Sequence, residues 1–192
     1  MDLFDGCRVC QIEEGLFLGS NRGASNKDGL KSLNVTHILT VANLAPAFPN
    51  DFVYKEINVK DSEDTHIQQH FEECISFIDE ARRQGGSILV HCYKGVSRSV
   101  TVVAAYLMKR RGMRLSQALE HIKTRRPQAA PNSGFMVQLQ EFESSLNNAL
   151  FGYFRLNRKP FFWTSSDTCQ VSSLVTLLHL SEANYCRKMN CE

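Results

Sequence analysis

No apolar run in this chain approaches the roughly 20 residues that a membrane-spanning helix needs. Charge of one sign is not in excess either. The formal net charge is +2, which argues against a general binder of nucleic acid or of membrane surfaces. A regular cysteine framework is missing: seven cysteines are scattered, an odd count that suits a reducing compartment better than a disulfide scaffold. Cys7-x-x-Cys10 has no second pair at metal-like spacing, so no metal is expected. The opening Met1-Asp2-Leu3-Phe4-Asp5 is acidic and lacks the apolar core of a secretion signal. The expected location is the cytoplasm, with the nucleus open. Repeats and low-complexity tracts are absent, and the length fits one domain with a sizeable core and an appendage.

What is present alternates between strand and helix patterns. Ile12 to Leu18 reads as a strand that ends at Gly19-Ser20. Ser25 and Asn26 are cap types for a short helix to Leu33, and His37 to Val41 is a compact run for a central strand. Residues 45–51 hold two prolines and read as loop, with another strand at Val53–Val59. Thr65 is placed to cap a helix with Ile67, Phe71, Cys74, Ile75 and Ile78 on one face, ended by Gly85-Gly86. Ser87 to Val90 reads as a buried strand and Val100 to Met108 as a buried helix, closed by Lys109-Arg110-Arg111-Gly112. Leu115–Arg125 is a short amphipathic helix with Ser116 as cap. Pro127 and Pro131 bound a rigid loop, and Phe135, Leu139, Phe142 and Leu146 repeat at helical spacing. Strand followed by helix recurs, which predicts an α/β fold with a mostly parallel central sheet flanked by helices.

Between that buried strand and that buried helix lies His91-Cys92-Tyr93-Lys94-Gly95-Val96-Ser97-Arg98-Ser99. The first N–H groups of a helix have no partner within it, and the dipole puts partial positive charge there. A loop containing Gly95 can turn successive N–H groups inward as an anion nest. Arg98 adds a planar fork matched to two phosphate oxygens. Cys92 stands at the floor, where the same field favours the nucleophilic thiolate. Attack by a side chain on phosphorus splits hydrolysis into two easier steps. The Ser99 hydroxyl can donate to the sulfur and help it depart. The leaving oxygen needs a proton, and the carboxyls after the 53–59 strand, Asp61, Glu63 and Asp64, are candidates to give it. All three could also simply solvate a loop.

The nine-residue loop resembles the Cys-x5-Arg signature of the protein tyrosine phosphatase superfamily, and His-Cys-x-x-Gly-x-Ser-Arg-Ser is similar to its dual-specificity branch. The resemblance runs from about Ile12 to Leu146. It is nearest to small, atypical dual-specificity phosphatases of the plant type, through Glu14-Gly15-Leu16-Phe17-Leu18-Gly19-Ser20, Leu33-Asn34-Val35-Thr36-His37-Ile38-Leu39 and the loop. It implies that branch's α/β fold and a metal-free, cofactor-free protein phosphatase acting on phosphotyrosine and phosphoserine or phosphothreonine, with MAP kinases as the natural substrate class. It implies Cys92, Tyr93, Lys94, Gly95, Val96, Ser97 and Arg98 as the phosphate-binding loop. It selects Asp61, 31 positions before Cys92, as the acid, with Asp64 the main rival. His91 is expected to orient the loop and tune the thiol. Asn132 matches the residue that braces the loop, and it can equally cap the helix that follows.

Two rivals stay open. One is a phosphoinositide or other non-protein phosphatase; relatives of that kind carry extra basic residues in the loop, whereas only Lys94 lies between Cys92 and Arg98 here. The other is a phospho-binding module without turnover. The expected division is an arm at 1–11, a catalytic domain at 12–146 and an extension at 147–192. The extension opens with an aromatic and basic mix, Phe151 to Trp163, and has helical spacing near Val171–Leu180. It reads as a weakly ordered end or as a docking or autoinhibitory segment. It and Lys109-Arg110-Arg111 are the two places where an acidic partner such as calmodulin could dock.

Overall fold

The computed structural model describes residues 9–156. The arm before residue 9, the residues from 157 on with the helix expected at Val171–Leu180, and Cys7, Cys169, Cys186 and Cys191 lie outside the described residues.

The described chain runs β1 (Val9–Glu13), β2 (Leu16–Ser20), α1 (Asn21–Ala24), α2 (Lys27–Ser32), β3 (Val35–Thr40) and β4 (Val53–Glu56). A 3₁₀ turn at Gln68–His70 leads into α3 (Phe71–Arg83), β5 (Ser87–Cys92), α4 (Arg98–Arg111), α5 (Leu115–Arg125) and α6 (Ser133–Leu156). The strands form one sheet in the order β1-β2-β5-β3-β4. β2, β5, β3 and β4 are parallel, and only β1 is antiparallel, on β2.

Period-two alternation sorts the strand residues onto two faces. Leu16, Leu18, Leu39, Ile88 and Val90 point into the larger core, which α3, α4, α5 and α6 cover. Phe17, Ile38 and Leu89 point the other way, onto Ala24 and Leu30 of the two short helices and onto Phe52. β5 lies at the centre with both faces covered, so every residue of Ser87–Cys92 is buried and the run reads as continuous rather than alternating. α4 is buried from Ser99 to Met108 and stops at Gly112, whose φ of 63° is the left-handed end that glycine tolerates.

Within residues 9–156 the expected elements are found, with corrections at their ends. The strand read at Ile12–Leu18 is a hairpin: Gly15, at φ 71°, turns the chain between β1 and β2. The strand read at Val53–Val59 stops at Glu56. Thr65 caps no helix; its carbonyl accepts from Gln138 Nε2 at 2.8 Å, and the chain enters α3 through the 3₁₀ turn. Ser116 is inside α5. The N–H groups at its start are taken otherwise, Arg114 N–H by Gln117 Oε1 of the same helix at 2.9 Å and Leu115 N–H by Glu143 Oε1 of α6 at 2.7 Å. A carboxylate from α6 replaces a local hydroxyl cap. α6 itself continues past Leu146 to Leu156.

Phe142 of α6 meets Phe71 of α3 edge to face, with ring centroids 5.0 Å apart. Phe142→Ala is expected to cost about 3–5 kcal/mol, measured as a lower urea midpoint. An unchanged midpoint would show that α6 adds nothing to the core.

Candidate active site

β5 ends at Cys92 and α4 begins at Arg98, so residues 93–97 form the loop at the C-terminal edge of the parallel sheet. In open α/β sheets that edge is where ligands bind. The loop's carbonyls are held from outside. Tyr93 O accepts from Asn21 N–H at 3.1 Å, and Val96 O from Ala130 N–H at 2.8 Å. Arg126 takes the two between, with Nη2 donating to Lys94 O at 3.1 Å and Nε to Gly95 O at 2.5 Å. In a trans peptide the N–H points opposite to the C=O. Four carbonyls fixed outward therefore turn the following N–H groups inward.

Cys92 is 1% exposed at the bottom of that concavity. Its Sγ accepts from Gly95 N–H at 3.2 Å and from Ser99 Oγ at 3.2 Å. Both donations favour negative charge on sulfur. Gly95 has φ 67°, and a Cβ there would overlap Gly19 O and crowd the Arg126 guanidinium, so glycine is required on both counts. His91 is buried beneath the loop. Its Nδ1 lies 3.3 Å from Cys92 O, which can only accept, so Nδ1 carries the proton and Nε2 accepts from Thr40 Oγ1 at 2.9 Å. Burial lowers the His91 pKa to about 4, and the imidazole is neutral. Cys74 is a second buried thiol, and burial in the apolar core pushes it up to about 12.

The acid loop closes the other side. Asp61 Oδ1 accepts from Ser97 Oγ at 2.7 Å and from Asn132 Nδ2 at 3.0 Å. Asp61 Oδ2 is 3.4 Å from Arg98 Nε, close but without a well-aligned hydrogen bond, and Arg98 Nη1 donates to Val59 O at 3.2 Å. Asp64 is turned away. The Ser62 hydroxyl donates to it and holds its carboxyl below the usual carboxylate range, the wrong direction for a proton donor. Glu63 backs onto α6, where Gly134 leaves room for its carbonyl; any Cβ at 134 would overlap it. Asn132 caps α6 through Oδ1, which accepts Phe135 N–H at 2.9 Å, and touches the phosphate loop through its own N–H to Ser97 Oγ at 3.2 Å. Capping and bracing are done by one residue.

The structure thus brings together Cys92, Gly95, Ser97, Arg98, Ser99, Asp61 and Asn132, with His91 below. Tyr93, 60% exposed, and Lys94 lend backbone to the loop and present their side chains to solvent. Arg126 escaped the sequence reading. It is only 2% exposed, and nothing in Arg125-Arg126-Pro127 distinguishes an arginine that will be buried under a loop 30 residues earlier from its exposed neighbour. Among the described residues no group of His, Cys, Asp and Glu could hold a metal ion.

A strand-loop-helix nest with a thiol floor and a facing carboxylate defines a cysteine-dependent phosphatase. The model of the dual specificity phosphatase catalytic domain matches residues 16–145, and the chain belongs to that family. It is an atypical dual specificity protein phosphatase of the plant type. It is 63% identical over 136 residues to dual specificity protein phosphatase 1 of Arabidopsis thaliana, covering 70% of this chain and 69% of that one. It is 44% identical over 135 residues to MAP kinase phosphatase with leucine-rich repeats protein 2 of Dictyostelium discoideum, covering 70% of this chain and 19% of that one. The crystal structure of DUSP15 superposes with a TM-score of 0.71 at 36% identity, over 79% of this chain and 97% of that one.

His91 supplies a pH prediction. The unfolded chain takes this proton near 6.5, the native state only near 4. The contribution to stability is fully present above pH 6.5 and is lost as pH falls through 4, on the order of 3 kcal/mol. Denaturant unfolding at pH 7 and pH 4 should show a smaller loss for His91→Asn than for wild type. Equal losses would place the proton uptake elsewhere.

Proposed function

We propose that this chain hydrolyses phosphoprotein esters through a phosphocysteine intermediate, with roles divided as follows. The carrying observation is Cys92 Sγ accepting from Gly95 N–H and Ser99 Oγ within a loop whose carbonyls at Tyr93, Lys94, Gly95 and Val96 are fixed outward. The nest and Arg98 hold the three phosphoryl oxygens opposite Cys92 Sγ. Sulfur attacks phosphorus, the ester P–O bond breaks, and Asp61 gives its proton to the departing oxygen. Water then attacks the phosphocysteine, Asp61 takes the proton from it, and Ser99 donates to the leaving sulfur. His91 and Asn132 fix the loop that does this.

MAP kinases are the proposed substrate class, supported by the likeness to a MAP kinase phosphatase. A dually phosphorylated MAP kinase, followed at its phosphotyrosine and phosphothreonine separately, tests it; preference for inositol phosphates over both sites would favour the lipid-type rival. The proposed location, on composition alone, is the cytoplasm with the nucleus open, which a fluorescent fusion in cells tests. Calmodulin docking has less support at Lys109-Arg110-Arg111, because these side chains pair with Glu72, Asp79 and Glu13 of the same chain. That leaves the extension as the segment to assay for it.

Cys92→Ser should lose turnover and keep affinity for inorganic phosphate, since serine fits the nest but is a far weaker nucleophile at neutral pH. Residual wild-type hydrolysis would rule out the covalent route. Asp61→Asn should slow alkyl and phenyl phosphates by about 10²–10⁴-fold and nitrophenyl phosphate much less, because nitrophenolate departs without a proton. Asp64→Asn, in the same loop, is the control. Should Asp64→Asn show the leaving-group dependence and Asp61→Asn not, the acid is Asp64.

A further inference from the structure

We infer that the Ser97 side chain, aided by Asn132, decides which oxygen of Asp61 carries the proton that leaves with the substrate. The inference rests on the reading of Asp61 as the general acid. Ser97 is then a positioning residue: its hydroxyl serves the acid, while its backbone belongs to the phosphate loop.

Asp61 Oδ1 receives two donors, Ser97 Oγ at 2.7 Å and Asn132 Nδ2 at 3.0 Å. Both are locked in orientation by the backbone. Ser97 Oγ itself accepts Asn132 N–H at 3.2 Å, so its own hydrogen is directed at the carboxylate. Asn132 Oδ1 is occupied by Phe135 N–H at 2.9 Å, so the amide presents nitrogen, not oxygen, to Asp61. A carboxyl oxygen with two donors on it has its lone-pair directions filled and is a poor place for a proton. The proton goes to Oδ2. That oxygen lies 3.4 Å from Arg98 Nε, on the side where the guanidinium would hold the phosphoryl group.

The chemistry balances on this one atom. In the first step the Oδ2–H bond breaks and its proton joins the ester oxygen, which keeps the electron pair of the breaking P–O bond while the S–P bond forms. In the second step Oδ2 takes a proton from water as the water oxygen bonds to phosphorus and the S–P pair returns to Cys92. Oδ1 stays hydrogen-bonded throughout, so the carboxyl need not rotate between steps. Without the Ser97 hydroxyl, Oδ1 loses its shorter donor. The proton is then shared between the two oxygens and is misplaced for part of the time.

Aryl phosphates with leaving groups of graded acidity test this, read as the dependence of kcat/KM on leaving-group pKa. Ser97→Ala should steepen that dependence, losing about tenfold on phenyl phosphate but under about threefold on nitrophenyl phosphate. Ser97→Thr, which keeps a hydroxyl, should stay near the wild-type slope. In the Asp61→Asn background Ser97→Ala should add no further steepening. If Ser97→Ala does not fold, Ser97→Gly against Ser97→Thr makes the same comparison. A uniform loss across the series, or an undiminished effect in the Asp61→Asn background, would mean that Ser97 only supports the loop, and the inference fails. A wild-type slope for Asp61→Asn itself would overturn the acid assignment, and this inference with it. The two failures are therefore told apart by the Asp61→Asn series alone.

Discussion

The constraint on which this molecule depends is the outward fixing of four consecutive carbonyls, those of Tyr93, Lys94, Gly95 and Val96. Peptide planarity converts that fixing into inward N–H groups, and the inward N–H groups make the nest. The donors come from three separate places: the first residue of α1, the buried Arg126 just past α5, and the backbone at Ala130. None of them touches the reacting atoms. Electrostatic preorganisation of this kind acts without reorganising at the moment of reaction, which is why a scaffold far larger than the loop surrounds it.

The loop and its flanks were legible in the sequence because everything they need is local. A fully apolar strand, a glycine that must take positive φ and a helix start follow one another between Ser87 and Met108. The Glu14-Gly15 turn was hidden because the buried positions Cys10, Ile12, Leu16 and Leu18 keep one period-two phase across it, so a hairpin read as one strand. The cap of α5 was illegible for a different reason. Glu143 lies 28 residues from the N–H that it receives, and no window short enough to carry periodicity includes both. Arg126 is a similar case: its charge is buried against carbonyls set more than 30 residues earlier in the chain. Asp61, Glu63 and Asp64 looked alike in the sequence. Packing separates them, with one on the loop, one backed onto α6 and one turned onto Ser62.

The two faces of the sheet have different work. The larger core buries α4 almost entirely, and that burial holds Arg98 and Ser99 at the start of the helix against the floor of the nest. The smaller face carries only short helices, and it supplies Asn21 N–H from the first residue of one of them. Glu13 ties the far end of β1 to Arg82 of α3 and Arg111 of α4, which fastens the antiparallel edge strand to the helical layer.

The strand order has a consequence for how the chain is made. Among the described strands β5 is the last in sequence, but it lies between β2 and β3. A growing chain that has not yet reached Cys92 holds only two separate pairs, β1 with β2 and β3 with β4, and no sheet joins them. Non-local pairing of this kind is slow and leaves strand edges open in the meantime. Insertion of β5 closes both edges in one event, and the residue at the end of that strand is the nucleophile. Insertion of the central strand therefore precedes the phosphate site, which Arg126 and Ala130 complete from further along the chain.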